Sequence, residues 1–178
     1  GRHQDYQAAR PSYAQEFLDW LGELYAPPER YTAADIGSGT GKLSAQLLAA
    51  GFRVCGVEPN PDMRGAAEAL LGGDPRFSSS NGTDHDTGLP DRSVDMVAAA
   101  QAFHRFDGPA FARECRRILR PGGRAVLVWN VRGSAPMNQA LAQVFREHCP
   151  SFHGFTGGMG EDDPRIRDFF GGAYEKRR

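Results

Sequence analysis

A segment with three glycines at alternate positions is the part of the chain best suited to bind a ligand. It reads Asp35-Ile36-Gly37-Ser38-Gly39-Thr40-Gly41 and separates a short apolar stretch from a run with helical periodicity. Glycine permits tight turns and close approach of the backbone to a ligand, because it has no Cβ atom. Glycines that merely close the turn are the alternative, but three of them at this position favour a ligand-binding loop.

The residues around this loop restrict the ligand. A dinucleotide fingerprint is G-x-G-x-x-G, whereas the third glycine here comes one residue early. A P-loop would need Gly at the position of Ile36 and Ser or Thr at the position of Leu43. The carboxylate of Asp35 would repel a pyrophosphate but attract an ammonium group. We therefore expect a ligand with a positive charge at this end.

Glu58 is the second candidate binding residue. It lies 21 residues after Gly37, at the end of the next predicted strand, where a carboxylate can accept hydrogen bonds from both hydroxyls of a ribose. A solvated surface glutamate is the alternative. Together with the glycine loop, Glu58 predicts a pocket for a ribonucleoside that carries an amino acid, and S-adenosylmethionine is such a molecule.

An alternation of strands and helices has to position these residues. Short apolar runs predict the strands, amphipathic runs predict the helices, and Asn60-Pro61 and Asp107 mark helix starts. Such an alternation demands parallel pairing with right-handed crossovers. The predicted fold class is therefore α/β, a doubly wound, mostly parallel, Rossmann-like sheet. Its strands are expected from Ala33 to the glycines, at Arg53–Glu58, within Arg76–Ser80, and at Val94–Ala100 and Ala125–Val131.

Composition excludes several other classes of protein. The 178 residues are 40% apolar, with 21 Lys and Arg against 22 Asp and Glu. A chain of this length has room for one domain. Its nearly balanced charge gives no electrostatic field that would attract nucleic acid or an anionic membrane, so a small-molecule partner is expected. The longest apolar run has five residues, far below the ~20 needed to span a bilayer. Cys55, Cys115 and Cys149 form no zinc or disulfide pattern, which predicts no metal and a cytoplasmic location.

Four segments in a fixed order resemble the class I S-adenosylmethionine-dependent methyltransferases. The similarity spans about Tyr6 to Val131 and is specific in combination. The segments are Ala34–Gly41, Val57–Asn60 with Met63, Gly82-Thr83 through Gly88–Asp91 to Ser93–Asp95, and Leu119–Gly123. The resemblance implies methyl transfer with S-adenosylmethionine as cofactor and S-adenosylhomocysteine as product.

The resemblance also implies roles for individual residues. The loop after the first strand would line the methionine end, Glu58 would bind the ribose, and two neighbouring side chains would flank the adenine. The chain departs from the family pattern at Thr83, where an acidic residue is common, and Asp84 is the expected substitute. The cofactor-binding residues so predicted are Asp35, Gly37, Ser38, Gly39, Glu58, Pro59, Met63, Thr83, Asp84 and Gln101.

The segment Gln101–Asp107 resembles a Q-A-F-H-W-F-D stretch of a subgroup that acts on small molecules. His104 and Arg105 are the predicted catalytic residues. His104 would take a proton from a hydroxyl or amine, or only orient a carboxylate, and a purely structural histidine is the alternative. Arg105 stands where the subgroup has tryptophan, which makes an acidic acceptor more plausible. Tyr6, Arg10 and Tyr13 resemble the lid of the same subgroup.

The C-terminal part departs from the family pattern. Only 47 residues follow Val131, too few for the antiparallel hairpin that ends the family's sheet, although Ala173–Glu175 resembles the start of a sixth strand. We expect a truncated hairpin and a homodimer through an uncovered edge at Ala125–Val131. The expected division is a lid and helix at 1–30, the cofactor-binding core at 31–132, and a C-terminal helix with an incomplete substrate-side segment at 133–178.

Two other functions remain compatible with the sequence. An NAD-dependent oxidoreductase shares the sheet and Glu58, but it would want one more residue between Gly39 and the third glycine. A catalytically impaired cofactor-binding fragment would explain the missing hairpin and Arg105.

Overall fold

The structure, a computed structural model, describes residues 13–130, 143, 147, 159–160 and 162–177. Five strands lie within these residues: β1 (Thr32–Ile36), β2 (Arg53–Val57), β3 (Phe77–Ser80), β4 (Val94–Ala100) and β5 (Leu119–Val128). They form one sheet in the order β3-β2-β1-β4-β5, and all neighbours are parallel. The predicted α/β class with a parallel, doubly wound sheet is confirmed.

The helices of the described residues alternate with these strands. Asn60 and Asp107 begin two of them as predicted: Asn60 Oδ1 accepts hydrogen bonds from the amides of Asp62 and Met63, and Asp107 Oδ1 accepts one from the amide of Ala110. Proline at the first turn suits both helices, since the amide it lacks would have no partner there. The helices are α1 (Gln15–Leu24), α2 (Lys42–Ala49), α3 (Pro61–Leu71), α4 (Gly108–Ile118) and α5 (Pro164–Phe170).

Two apolar layers cover the sheet. Leu21 of α1, Tyr25 directly after it and Leu47 of α2 pack in a cluster on one face. Phe111 of α4 and Phe169 of α5 pack in a second cluster on the other face, their rings stacked 5.1 Å apart. β4 is buried along most of its length, as expected for a strand that is covered on both faces.

The strand order places two strand ends at the centre of the sheet. From β1 the chain proceeds outward through β2 and β3, and then returns to β4 on the other side of β1. The carboxyl ends of β1 and β4 therefore lie side by side at a switch point, where open parallel sheets bind ligands.

The C-terminal part of the sheet differs from the prediction. β5 begins at Leu119, not at Ala125, and the Pro-Gly-Gly residues expected to form a turn lie inside it. They form an irregularity in which the register moves from Val94 opposite Leu119 to Met96 opposite Arg124. Ala173–Glu175, expected to start a sixth strand, is irregular.

Some predictions fall outside the described residues. These are the lid residues Tyr6 and Arg10, and Cys149. In the part of the chain that the structure describes, no helix combines the length and the apolar character that crossing a membrane requires.

Candidate functional site

The glycine loop joins the end of β1 to the start of α2. The amides of Gly37 and Ser38 both donate hydrogen bonds to the carbonyl of Val57. Gly37 and Gly39 have φ values of +69° and +58°, a region that other residues rarely adopt. The loop therefore folds back over the end of β2, and glycine at these two positions avoids strain.

The two glycines differ in what a side chain would meet. A Cβ atom at Gly37 would lie 2.9 Å from Cβ of Ala102 and 3.2 Å from the ring of Phe106. A Cβ atom at Gly39 would have no protein atom within 4 Å. Packing within the protein therefore requires glycine at position 37, whereas Gly39 faces open space that a ligand can occupy.

Asp35 lies beneath this loop at the end of β1. Its side chain is 1% exposed, and its Oδ2 accepts a hydrogen bond of 2.7 Å from Oγ of Ser44 in α2. Burial raises the pKa of Asp35 to about 6; the hydrogen bonds with Ser44 oppose the rise, and the charge of Glu58 adds to it. The predicted bond between Asp35 and an ammonium group stays a prediction, and Ser44 is a partner that sequence reasoning missed.

Glu58 connects the glycine loop to the end of β2. Its Oε2 accepts a 2.9 Å hydrogen bond from the amide of Gly39, and its Oε1 accepts one of 2.9 Å from the amide of Asn60. The side chain is buried, with 7% of its surface exposed. Because each carboxylate oxygen accepts more than one hydrogen bond, both retain capacity for a ligand hydroxyl. The solvated alternative is therefore wrong for Glu58.

The residues predicted to flank an adenine lie on the surface next to Glu58. Pro59 is exposed, and Met63 is 38% exposed, one of only two large apolar side chains exposed to this degree among the described residues. Arg64 holds the segment in place, since its Nη1 donates to the carbonyl of Glu58 at 2.9 Å and to Oδ1 of Asn81 at 3.0 Å. Sequence reasoning missed Arg64, whose spacing from Glu58 gives no signal.

Thr83 and Asp84, the two predicted adenine contacts in the loop after β3, have different hydrogen-bond partners. Oγ1 of Thr83 accepts a hydrogen bond from the amide of Asp86 within its own turn. Oδ2 of Asp84 accepts one of 3.0 Å from the amide of Asp107, and its Oδ1 lies 3.2 Å from Nδ1 of His85. Asp84 thus joins this loop to the start of α4, and contact of either residue with an adenine stays a prediction.

The turn after β4 packs directly on the glycine loop. Gln101 has φ of +54° and donates from Nε2 to the carbonyl of Asn130 at 3.2 Å. This sharp change of direction buries Phe103 in the core, and Ala102 and Phe106 come to rest against Gly37. Gln101 therefore shapes the site, and its contact with a cofactor stays a prediction.

His104 and Trp129 carry polar atoms without partners. Nδ1 of His104 and Nε1 of Trp129 are the two buried side-chain nitrogen or oxygen atoms that make no hydrogen bond within the described residues. Burial, followed by the positive charges of Arg105 and Arg165, lowers the pKa of His104. The lowered pKa favours the neutral form of His104 at pH 7. Sequence reasoning missed both Trp129, which directly follows β5, and Arg165 in α5.

Of the predicted lid residues, the structure describes Tyr13. It is buried against α1 and α2, and its main chain exchanges hydrogen bonds of 3.0 and 3.1 Å with the side-chain amide of Gln46. Its role as a lid stays a prediction. Among the described residues, no group of three or more His, Cys, Asp or Glu side chains has the arrangement to hold a metal ion.

Comparison with known proteins identifies relatives of this site. Residues 34–127, more than half of the chain, match the family model of a methyltransferase domain. An uncharacterized methyltransferase of Mycobacterium tuberculosis is 42% identical over 127 residues, which cover 71% of this chain and 49% of that protein. The chain thus spans about half the length of this curated relative.

Two solved structures with the same fold are assigned as methyltransferases. One, a type II methyltransferase from Anaeromyxobacter dehalogenans, has a TM-score of 0.62 and 34% identity, covering 92% of this chain and 64% of that one. The other, from an antibiotic biosynthesis pathway of Anabaena variabilis, has a TM-score of 0.68 and 25% identity. The match covers 91% of this chain and 61% of that one.

Proposed function

Because this chain belongs to the methyltransferase domain family, we propose that it transfers a methyl group from S-adenosylmethionine to a small-molecule acceptor. The single observation that carries the proposal is the contact of Glu58 with the amide of Gly39 at 2.9 Å. This hydrogen bond joins the carboxylate proposed to bind the ribose to the glycine loop, which leaves open space at Gly39. The family match does not favour the NAD-dependent alternative.

S-adenosylmethionine is the cofactor, and the residues present fit it. Glu58 would accept hydrogen bonds from the ribose, Met63 and Pro59 would offer exposed apolar surface to the adenine, and Asp35 would supply negative charge beneath the methionine end. A Cβ atom at Gly39 would have no protein atom within 4 Å, so the loop leaves open space at this position. When bound, the cofactor supplies an electrophilic methyl group on a sulfonium.

The chain's own contribution to the reaction is orientation and exclusion of water. Holding two reactants in line contributes roughly 7–11 kcal/mol to such a displacement. The turn containing His104 lies against the glycine loop through Phe106 and Ala102, so an acceptor bound there faces the cofactor loop. The rings of Phe106 and Trp129 pack edge to face against Phe103 and give this region an apolar lining.

His104 acts according to the acceptor. If the acceptor is a hydroxyl or an amine, neutral His104 accepts its proton, because the lowered pKa leaves a ring nitrogen free at pH 7. If the acceptor is a carboxylate, no proton has to leave, and His104 and Arg105 orient it. Methyl transfer with a panel of small phenols and carboxylic acids distinguishes the two roles.

Calorimetric titration tests the cofactor half of this proposal. We expect S-adenosylhomocysteine to bind wild type with Kd on the order of 1 μM and NAD not to bind. Glu58→Gln removes one charged acceptor and should weaken binding about 10- to 100-fold. Glu23→Gln, an exposed position on α1, is the matched control and should bind as wild type does.

Methyl transfer from labelled cofactor tests the catalytic half. We expect turnover with at least one member of the acceptor panel and about 100-fold slower turnover in His104→Ala when the acceptor is a phenol. Binding of S-adenosylhomocysteine without turnover on any acceptor would support the cofactor-binding fragment instead. Binding of NAD alone would overturn both halves.

A further inference from the structure

The two unpartnered polar atoms lie at the same end of the sheet. His104 is in the turn that follows β4, and Trp129 directly follows β5, the neighbour of β4. Both contact Phe103, His104 as the next residue in the chain and Trp129 through its ring, whose centroid lies 6.3 Å from that of Phe103. We call His104 Nδ1 and Trp129 Nε1, whose residues both neighbour Phe103, the paired-nitrogen site.

An unpaired buried polar group is costly. Leaving one without a hydrogen bond costs about 1–3 kcal/mol, and most buried groups in proteins are paired. Both exceptions among the described residues follow the carboxyl ends of two neighbouring strands, β4 and β5. This coincidence indicates a place for a ligand that supplies the missing partners.

The chemistry of the two nitrogens defines that ligand. The indole nitrogen of Trp129 only donates a hydrogen bond, so its partner has to be an acceptor. Neutral His104 donates from Nδ1 in one tautomer and keeps its other nitrogen as an acceptor. A group with two acceptor oxygens satisfies both donors.

The charges around the site favour an anion with one negative charge. Arg105 is exposed and makes no ion pair with another described residue, whereas Arg165 is paired with Asp163 at 2.7 Å. The nearby carboxylate of Asp107 caps α4, where its Oδ1 accepts a hydrogen bond from the amide of Ala110. The single guanidinium of Arg105 matches the one charge of a carboxylate, whereas a doubly charged phosphate would need a second cation.

We propose that the paired-nitrogen site binds a carboxylate of the acceptor substrate, with Trp129 as a specificity-determining hydrogen-bond donor and Arg105 as the compensating charge. This inference rests on the proposed methyl transfer, because it assigns the substrate class of the same site. Trp129 is not among the residues proposed to hold the cofactor, so its substitution should leave cofactor affinity unchanged.

Indole N–H signals in two-dimensional ¹⁵N NMR test the proposal. The chain has two tryptophans, so two signals are expected, and Trp129→Phe identifies that of Trp129 by its loss. Acetate is the probe because it is small enough to enter any site that accepts a carboxylate. Acetamide is the uncharged control of the same size, and the chloride concentration is kept constant in both titrations. We expect acetate to move the Trp129 signal with Kd on the order of 10 mM and acetamide to move it at least fivefold less.

Variants separate the charge from the hydrogen bond. Arg105→Gln should weaken acetate binding about fivefold, and Arg167→Gln, an exposed arginine of α5, is the matched control and should not. Equal shifts with acetate and acetamide, no saturable shift with acetate, or a shift with inorganic phosphate only would each overturn the proposal.

The titration is repeated with and without S-adenosylhomocysteine, whose own binding is monitored at the amide of Gly39. Absence of cofactor binding together with a saturable acetate shift would contradict the proposed methyl transfer but support the carboxylate site. Cofactor binding together with a Trp129 signal that acetate does not move would support the proposed methyl transfer but contradict the carboxylate site.

Discussion

At the scale of single residues, Asp35 illustrates a group whose charge destabilises the fold that contains it. Its pKa is about 6 in the folded chain, above the ordinary value near 3.9. The folded state therefore binds more protons, and stability falls as pH rises from about 4 to above 6. Asp35→Asn keeps an acceptor for Ser44 and should raise the free energy of unfolding at pH 7 by about 1–3 kcal/mol, as measured by urea denaturation.

The same substitution should act oppositely on function. The neutral amide lacks the charge that attracts the cofactor's ammonium group, so S-adenosylhomocysteine should bind more weakly although the fold is more stable. Asp168→Asn, at an exposed position of α5, should change neither quantity. A variant with reduced stability at pH 7 and an unchanged pH slope would show that ionised Asp35 is not destabilising.

Sequence reasoning at this scale identifies residue types better than their partners. The glycines and Glu58 could be predicted, since their function depends on a local turn and a strand end. The distinction between Gly37, which packs against Phe106, and Gly39, which does not, could not, because it depends on a segment more than 60 residues later.

At the scale of elements, Glu114 anchors the loop between β3 and β4 to α4. Its Oε1 accepts hydrogen bonds from the amide and hydroxyl of Thr87 at 2.9 and 2.6 Å, and Arg117 donates to both of its oxygens. Burial raises the pKa of Glu114, but the hydrogen bonds from Arg117 and Thr87 outweigh this effect and bring the pKa to about 2.

We therefore expect Glu114→Gln to destabilise the protein by about 1–3 kcal/mol at pH 7, because the amide cannot accept from all these donors. The stabilisation by Glu114 is complete above its ordinary pKa near 4.3 and is lost as pH falls toward 2. Denaturant unfolding between pH 3 and pH 7 should show the difference from wild type narrowing with acidity. Glu68→Gln, which breaks an exposed pair at 3.8 Å with Arg64, should cost under about 0.5 kcal/mol. A constant difference at all pH values would contradict this account.

Elements with a strong local signal were predictable. The bounds of β4 agree with its apolar run, and Asn60 and Asp107 begin helices as expected. The start of β5 was not predictable, because Pro121-Gly122-Gly123 has the composition of a turn. Pairing with β4 draws this segment into the sheet as an irregularity, which is a tertiary effect.

At the scale of the whole molecule, β5 is the last strand of the sheet among the described residues, with β4 as its one neighbour. Unpaired backbone groups along a strand edge favour association with another chain. The homodimer expected from the sequence therefore remains a proposal, and light scattering at increasing concentration should show a mass approaching twice 19.4 kDa. A constant mass of 19.4 kDa over this range would contradict it.

The assembly of the site was only partly predictable at this scale. Parallel topology brings the ends of β1, β2 and β4 to one edge, and this follows from the alternation of strands and helices. The position of Arg165 near His104 depends on how α5 docks against α4, for which the sequence offers no periodic signal.

The packing of Phe106 on Gly37 has a consequence for changing the acceptor range by directed evolution. Substitutions at Phe106 would disturb the glycine loop as well, so libraries there would mix altered selectivity with a displaced loop. Arg105 is exposed on the same turn. Saturation mutagenesis should therefore begin with Arg105, where a new preference can arise while the neighbouring loops keep their geometry.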